Sequence, residues 1–324
     1  MKPAIQITRT GLVIAGRHPV HRLIALIDSA LRGVGQVMFQ DNTYTGLLFL
    51  AGLGVNDPFM ALYAFAGALI SSAVASLAGA ETQPIRQGLF GFNGALVGIA
   101  LPMFLPMASP AIWLWLAGGA AASTFVLAFL MRLLAPWNAP ALTAPFVFVT
   151  WAVILSVHAL GHIPAAAPPP PALDMPLWQL LPRGLFNGVA QVFLQENPVT
   201  GVLFALGLLV NAPAASLAAL LGSASGLLIA LALQVPAHTL AAGIFGFNGA
   251  LVAIAVGHTF APKARGAILF AAAATILTPW VQLALSAALA PVHLPVFTFP
   301  FVLTTWVFLL GMPVFFDRSK PPSV

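Results

Sequence analysis

The chain has no cysteine, so neither a disulfide nor a thiolate metal site is open to it. It is also poor in charge: 6% of its 324 residues are Asp, Glu, Lys or Arg, while 60% are hydrophobic. Roughly half or more of a soluble protein's residues meet water, so a soluble domain of this composition is excluded and the chain reads as a polytopic membrane protein. The seven carboxylates, Asp28, Asp41, Asp57, Glu81, Asp174, Glu196 and Asp317, are expected at segment ends or in loops. None is expected to pair with Lys or Arg at mid-membrane, where a coupled pump or proton relay keeps its ionisable groups. There is no catalytic triad, P-loop or nucleotide fingerprint, so an enzyme is disfavoured. The seven histidines show no HxxxH or HExxH spacing, and neither metal nor cofactor is expected. The basic excess, a net charge of +5, is scattered near helix ends and forms no patch. It reads as headgroup contact and topology, not as a nucleic-acid surface. Met1–Arg22 lacks a signal-peptide pattern.

What the chain does contain is itself, twice. Gly33–Pro58 and Gly188–Pro213 align without a gap and are identical at 15 of 26 positions, an offset of 155 residues. Gly88–Ala100 (GLFGFNGALVGIA) and Gly243–Ala255 (GIFGFNGALVAIA) match at the same offset. So do Thr143-Ala-Pro-Phe-Val and Thr298-Phe-Pro-Phe-Val, each followed by a Thr-Trp pair at 150/151 and 305/306. Three blocks in one register mean two copies of one structural unit. In so apolar a chain that is the mark of a transporter or channel whose path lies between its halves.

A helix needs about 20 apolar residues to cross the hydrocarbon core. Crossings fit near 34–54, 58–79, 94–106, 111–134 and 141–161, with partners near 189–209, 213–234, 249–261, 266–289 and 296–316. The third of each half is short and follows a Gly- and Pro-broken stretch, 82–93 and 237–248, which reads as a re-entrant half-helix. Five crossings per copy is an odd number, so the second copy is inverted. The expected fold is all-α and polytopic: two inverted repeats of five transmembrane helices, each with one re-entrant half-helix. With the N-terminus inside, Lys2, Arg9, Arg17, Arg22, Arg132, Lys263, Arg265, Arg318 and Lys320 all fall inside, and Arg183 is the exception. The division expected is an N-terminal cytoplasmic or interfacial segment 1–32, repeat A 33–161, an extracytoplasmic linker 162–187, repeat B 188–316 and a cytoplasmic tail 317–324. Within the linker, Ile163–Pro171 (IPAAAPPPP) is extended, because Pro fixes φ and removes donors.

The polar groups that repeat are neutral. Each half carries a Gln-Val pair (36/37 and 191/192), a Phe-Asn-Gly turn (92–94 and 247–249) and a Thr two residues before Pro (Thr143/Pro145 and Thr298/Pro300). Asn-Gly is expected to end a helix in left-handed geometry and leave carbonyls unpaired. Pro145 and Pro300 are expected to free the carbonyls of Ala141 and Val296. Phe39, Phe90, Phe92, Phe146, Phe245, Phe247 and Phe301 recur beside these oxygens. Oxygens flanked by aromatic faces suit a small, planar, neutral molecule rich in N–H groups, such as urea. Each polar residue taken alone also reads as interhelical glue.

The doubled FGFNGAL block, the doubled Thr-x-Pro-Phe block and the doubled Gln-Val block resemble the urea transporter family over roughly residues 20–318. The resemblance implies passive, channel-like conduction of urea, two inverted repeats and a homotrimer with one pore per protomer in the lipid bilayer of the cell or inner membrane. It also implies a pore lined by Gln36, Val37, Phe39, Phe92, Leu96 and Thr143, then Gln191, Val192, Phe247, Leu251 and Thr298. Backbone oxygens of Phe90, Gly91 and Phe92 and of Phe245, Gly246 and Phe247 would form a ladder accepting urea N–H groups. Two departures stand out. Position 191 is Gln where some relatives carry Glu, and position 194 is Leu opposite Phe39, which leaves one aromatic wall to be supplied elsewhere. The competing readings are a channel for another small neutral solute (a short amide, ammonia or water) and an ion-coupled carrier.

Overall fold

The computed structural model describes residues 5–14, 18–107, 109–161 and 173–316; the linker Ile163–Pro171 and the tail from 317 lie outside them. A short antiparallel hairpin, β1 (Ile5–Thr8) and β2 (Gly11–Ile14), precedes the first helix. The first half then runs α1 (Pro19–Gln36), α2 (Thr43–Asn56), α3 (Pro58–Leu77), α4 (Thr82–Arg86), α5 (Phe92–Ala100), α6 (Ala111–Leu134) and α7 (Ala144–Ala159). The second runs α8 (Leu177–Ala190), α9 (Pro198–Asn211), α10 (Pro213–Ala232), α11 (Ala237–Ala241), α12 (Gly246–Ile254), α13 (Ala267–Leu289) and α14 (Phe299–Phe316). Matching helices start within a few residues of the repeat offset. Helices α1 and α8 run across the expected boundaries at 33 and 188, so each repeat begins with its own first helix.

Among the described residues six helices are long and apolar enough to cross a bilayer, and a bent pair makes a seventh. That pair, Leu177–Phe193 with Pro198–Asn211, turns by 72°. A re-entrant-like bend therefore lies between the first two helices of the second half, and the stretch before each Phe-Asn-Gly block is broken too, α4 from α5 around Gly88 and α11 from α12 around Gly243. The single first crossing expected at 34–54 is likewise two helices. The cause is local and doubled. Phe39 (φ 63) and Leu194 (φ 57) are left-handed, which no helix tolerates in its interior. Gln40 Nε2 and Gln195 Nε2 then donate back to the carbonyls of Met38 and Phe193, both at 2.8 Å. Asn42 and Asn197 next cap α2 and α9, accepting from the N–H groups two and three residues on.

The two halves meet through reciprocal contacts. Thr45 Oγ1 donates to Gly207 O at 2.8 Å and Thr200 Oγ1 to Gly52 O at 2.7 Å. Asn42 Nδ2 reaches Asn211 Oδ1 at 2.9 Å, while Asn56 Nδ2 reaches Gln195 Oε1 at 2.6 Å. The start of α2 thus lies beside the end of α9 and the end of α2 beside the start of α9. Two symmetry-related helices that run antiparallel are related by a twofold axis perpendicular to them, which is the inversion expected from an odd number of crossings. The axis is packed with rings: Phe49, Phe193 and Phe204 are fully buried with centroids 4.9–5.5 Å apart. Gly52 and Gly207 admit them, since a Cβ on either would sit 2.8 Å from the opposing ring.

Candidate functional site

The site is built around the starts of α7 and α14. Helix α7 has 16 residues, about 24 Å against a hydrocarbon core of ~30 Å, so it is too short to cross alone. Its first turn shows how its orphan donors are met. Ala144 N donates to Ala141 O at 3.3 Å, Pro145 has no N–H, Phe146 N donates to Asn93 Oδ1 at 3.0 Å, and Val147 N donates to Thr143 O at 3.1 Å. Helix α14 repeats the pattern through Phe299 N to Val296 O, Pro300, Phe301 N to Asn248 Oδ1 and Val302 N to Thr298 O. The prolines therefore begin helices rather than breaking them, a position where the missing N–H costs nothing. The carbonyls of Ala141 and Val296, expected to be free, hold turn bonds.

This arrangement releases the threonine hydroxyls. A Thr at an N-cap ordinarily accepts from the second or third helical N–H. Here the second residue is Pro, and the third N–H is taken by an Asn from α5 or α12. Thr143 Oγ1 and Thr298 Oγ1 instead hydrogen-bond each other at 2.6 Å, both buried. They are the same residue of the two copies, so the bond lies on the twofold axis. Each Thr thus meets its own repeat partner and not a carbonyl of the preceding turn. The Phe-Asn-Gly block is corrected too. Asn93 and Asn248 sit in the first turns of α5 and α12, and the left-handed residues nearby are Gly88 (φ 76) and Gly243 (φ 77). A side chain there would collide with the backbone of Gly33 or Gly188.

On the first-half side a cavity of about 220 Å³ ends at Thr143 and is lined by Gln36, Val37, Phe39 and Phe92 among others. Five of the six first-half residues expected in the path are thus brought together; Leu96 is fully buried behind them. Gln191, Val192, Phe247, Leu251 and Thr298 are all buried, none more than 8% exposed. A larger space of about 490 Å³ opens between α10 and α13. It lies among outward-facing Leu217, Leu221, Ile268 and Ile276 and touches none of these residues. Gln36 Nε2 donates to Gln87 O at 2.9 Å and Gln191 Nε2 to Ala242 O at 3.0 Å, which fixes each amide and leaves Oε1 to accept. The expected oxygen ladder is only partly available. Gly91 O accepts Ala95 N at 3.0 Å as the first bond of α5, and Phe245 O is turned against Gly226 of α10.

The aromatic walls come from both halves. Phe39 meets Phe260 and Phe301 edge-on at 5.9 and 6.1 Å. The wall missing at Leu194 has a counterpart in Phe297, which stands where the first half has Leu142 and packs on Phe146 at 5.1 Å and Phe104 at 6.3 Å. Leu142 (φ 53) and Phe297 (φ 47), like Phe39 and Leu194, are left-handed. Bulky residues in that region cost of order 1–3 kcal/mol each and persist where the surroundings impose them, commonly at functional sites. Asn93 Nδ2 and Asn248 Nδ2 hold the carbonyls of Leu142 and Phe297 at 3.4 and 3.3 Å. Trp151 Nε1 donates to Pro295 O and Trp306 Nε1 to Pro140 O, both at 2.8 Å. The tryptophans of the Thr-Trp pairs that marked the repeat in sequence therefore tie each half to the other's pre-helix loop.

Reasoning from sequence missed one charged cluster altogether. Arg32 Nε contacts Asp28 Oδ2 at 2.8 Å and its Nη1 contacts Asp41 Oδ1 at 2.5 Å. Thr43 Oγ1 and Leu12 N also donate to Asp28 Oδ1, at 2.7 and 3.2 Å. Asp28 thus lies buried within α1 and paired, not at a segment end. The i, i+4 spacing of Asp28 and Arg32 was the available signal.

A helical membrane protein of two inverted repeats, with matched neutral polar groups converging on their axis and buried between apolar walls, belongs to the class of small-solute transport proteins rather than enzymes. Residues 27–313 match the family described as UT: Urea transporter. The chain is 32% identical over 302 residues to Urea transporter 1 of Rattus norvegicus, covering 89% of this chain and 77% of the relative. It is 32% identical over 300 residues, with the same coverage, to Urea transporter 1 of Ovis aries and of Mus musculus. The chain belongs to the urea transporter family and is an integral, multi-pass membrane protein.

Proposed function

We propose that the protein conducts urea passively along a path between its two repeats, through the cavity bounded by Gln36, Val37, Phe39 and Phe92, past Thr143 and Thr298, and out between Gln191, Val192 and Phe247. The observation that carries this reading is the Thr143–Thr298 contact on the twofold axis. Two hydroxyls freed from capping, each flanked by Phe, offer an acceptor and a donor to a planar amide at a place both halves share. Urea's N–H groups replace the bond the hydroxyls make to each other, and its flat faces slide against the rings. Gln36 Oε1 and Gln191 Oε1 receive the molecule on either side. Among the described residues no ionisable pair borders this stretch, which favours flux uncoupled from protons or sodium. The charged trio at Arg32 braces the base of α1 and is not a member of the path. Leu96 and Leu251 support the wall from behind, and of the expected carbonyl ladder Phe90 O remains as an acceptor, while Phe92, Gly246 and Phe247 lie in the first turns of α5 and α12, where their carbonyls take helical bonds.

In the membrane, the distribution of Lys and Arg favours both termini in the cytoplasm. The family resemblance favours a homotrimer in the cell or inner membrane with one path per protomer. The test is stopped-flow shrinking of proteoliposomes in a urea gradient, with and without a pH gradient. The expected result is flux proportional to the urea gradient and indifferent to pH. Uphill accumulation driven by protons would overturn the passive reading, and absence of urea flux from folded protein would overturn the solute.

A further inference from the structure

Thr143 and Thr298 head helices that start alike but are held unequally. Beside Thr298, Asn248 Nδ2 donates both to Phe297 O and, at 2.9 Å, to Gln282 Oε1 of α13. Gln282 Nε2 is itself anchored on Ile244 O at 2.7 Å, and the side chain is buried. Beside Thr143, Asn93 Nδ2 reaches only Leu142 O, at 3.4 Å, among the described residues. The repeat partner of Gln282 is Leu127, whose apolar side chain offers no hydrogen bond and lines the 220 Å³ cavity. One wall of the constriction is therefore cross-linked by a chain of amides in a dry interior, where each bond strengthens its neighbours. The other is held by apolar contact and stands next to open volume.

We infer that Gln282 is a positioning residue that sets which solutes pass: it fixes the Thr298 side, so the Thr143 side is the one that yields, and the extent of yielding limits solute size. The inference rests on Thr143 and Thr298 being the narrowest point of the path. A rigid wall opposite a compliant one keeps one set of hydrogen-bond partners in register while the other adjusts to the passing molecule. If both walls yielded, larger amides would pass; if both were braced, urea itself would be slowed.

The repeat supplies the variants. Gln282→Leu copies the first half into the second, and Leu127→Gln copies the second into the first, with little change of volume. Fluxes of urea and of N-methylurea are measured separately in proteoliposomes by stopped-flow. Gln282→Leu is expected to raise the methylurea-to-urea ratio about three- to tenfold, equal to roughly 0.7–1.4 kcal/mol at 1.4 kcal/mol per decade. Leu127→Gln is expected to lower it by a similar factor, and the double exchange to bring it back toward the wild-type value. A residue that merely packs would change protein yield or both fluxes together and leave the ratio alone. An unchanged ratio in folded Gln282→Leu and Leu127→Gln proteins overturns the inference. Should Gln282→Leu not fold, Leu127→Gln decides it alone. If the wild-type protein conducts urea but Thr143→Val/Thr298→Val conducts it equally, the path itself is refuted and this inference falls with it.

Discussion

Where the two halves differ most is at the base of their first helices. In the first half, Asp28, Arg32, Asp41 and Thr43 form a buried network under the β1–β2 hairpin, with Arg32 held from two sides. The same four repeat positions in the second half are Arg183, Asn187, Glu196 and Pro198. There Arg183 and Glu196 approach only to 3.6 Å with side chains about half exposed, and Asn187 Nδ2 settles on Ala241 O at 2.7 Å. Yet the breaks at Phe39 and Leu194, the Gln-to-carbonyl bonds and the bonds that Asn93 and Asn248 accept from Phe146 N and Phe301 N are the same in both halves. The inter-repeat wall and its backbone geometry are shared while the rims differ, because the wall is over-determined by reciprocal contacts while each rim meets a different environment.

Removing Arg32 tests that contrast hardest. Arg32→Leu leaves Asp28 buried without its counter-charge, and breaking a buried pair from one side typically costs about 3–5 kcal/mol. Thermal unfolding in detergent should fall well below wild type, while Arg183→Leu, which removes the exposed pair of the second half, should hardly move it. Equal shifts for the two variants would mean that the rims are not different in kind.

Next in size are the shared threonines. A lost neutral hydrogen bond at a desolvated site costs about 1–3 kcal/mol, and roughly 1.4 kcal/mol is tenfold. Thr143→Val/Thr298→Val should therefore slow urea several-fold to a hundredfold with assembly intact. The two single exchanges should be alike in the unfolding temperature they give, since each strands the other hydroxyl. Undiminished flux in the folded double variant would reduce the pair to helix glue.

The inter-repeat core should respond symmetrically. Gly52→Ala and Gly207→Ala each push a methyl to 2.8 Å from Phe204 or Phe49, an overpacking worth about 1–3 kcal/mol. Their midpoints in thermal unfolding should agree closely. A large difference would show that the axis is less symmetric than its hydrogen bonds. Smallest of all is Arg183→Leu by itself, where an exposed pair contributes about 0–1 kcal/mol and flux should stay at the wild-type level.

By itself the sequence determined the class, the duplication and the family. Composition excluded a soluble fold, the constant offset exposed two copies, and an odd count of apolar segments required inversion. It also picked the residues that meet: Gln36, Val37, Phe39, Phe92 and Thr143 share one cavity, because repetition selects positions that two structural contexts both need. Tertiary structure decided what those residues do there. Whether Thr143 caps its helix or faces Thr298 depends on Asn93, fifty residues away, taking the N–H of Phe146. The break after Gln36 depends on left-handed Phe39 and on Gln40 turning back to Met38, conformations that an apolar run does not announce. The burial of Asp28 depends on a hairpin folding over it, and the unequal support of the two threonines on whether α13 brings a Gln or α6 a Leu to the same Asn. These are choices of hydrogen-bond partner made across the fold, and local pattern fixes which groups need partners without fixing which partner each one finds.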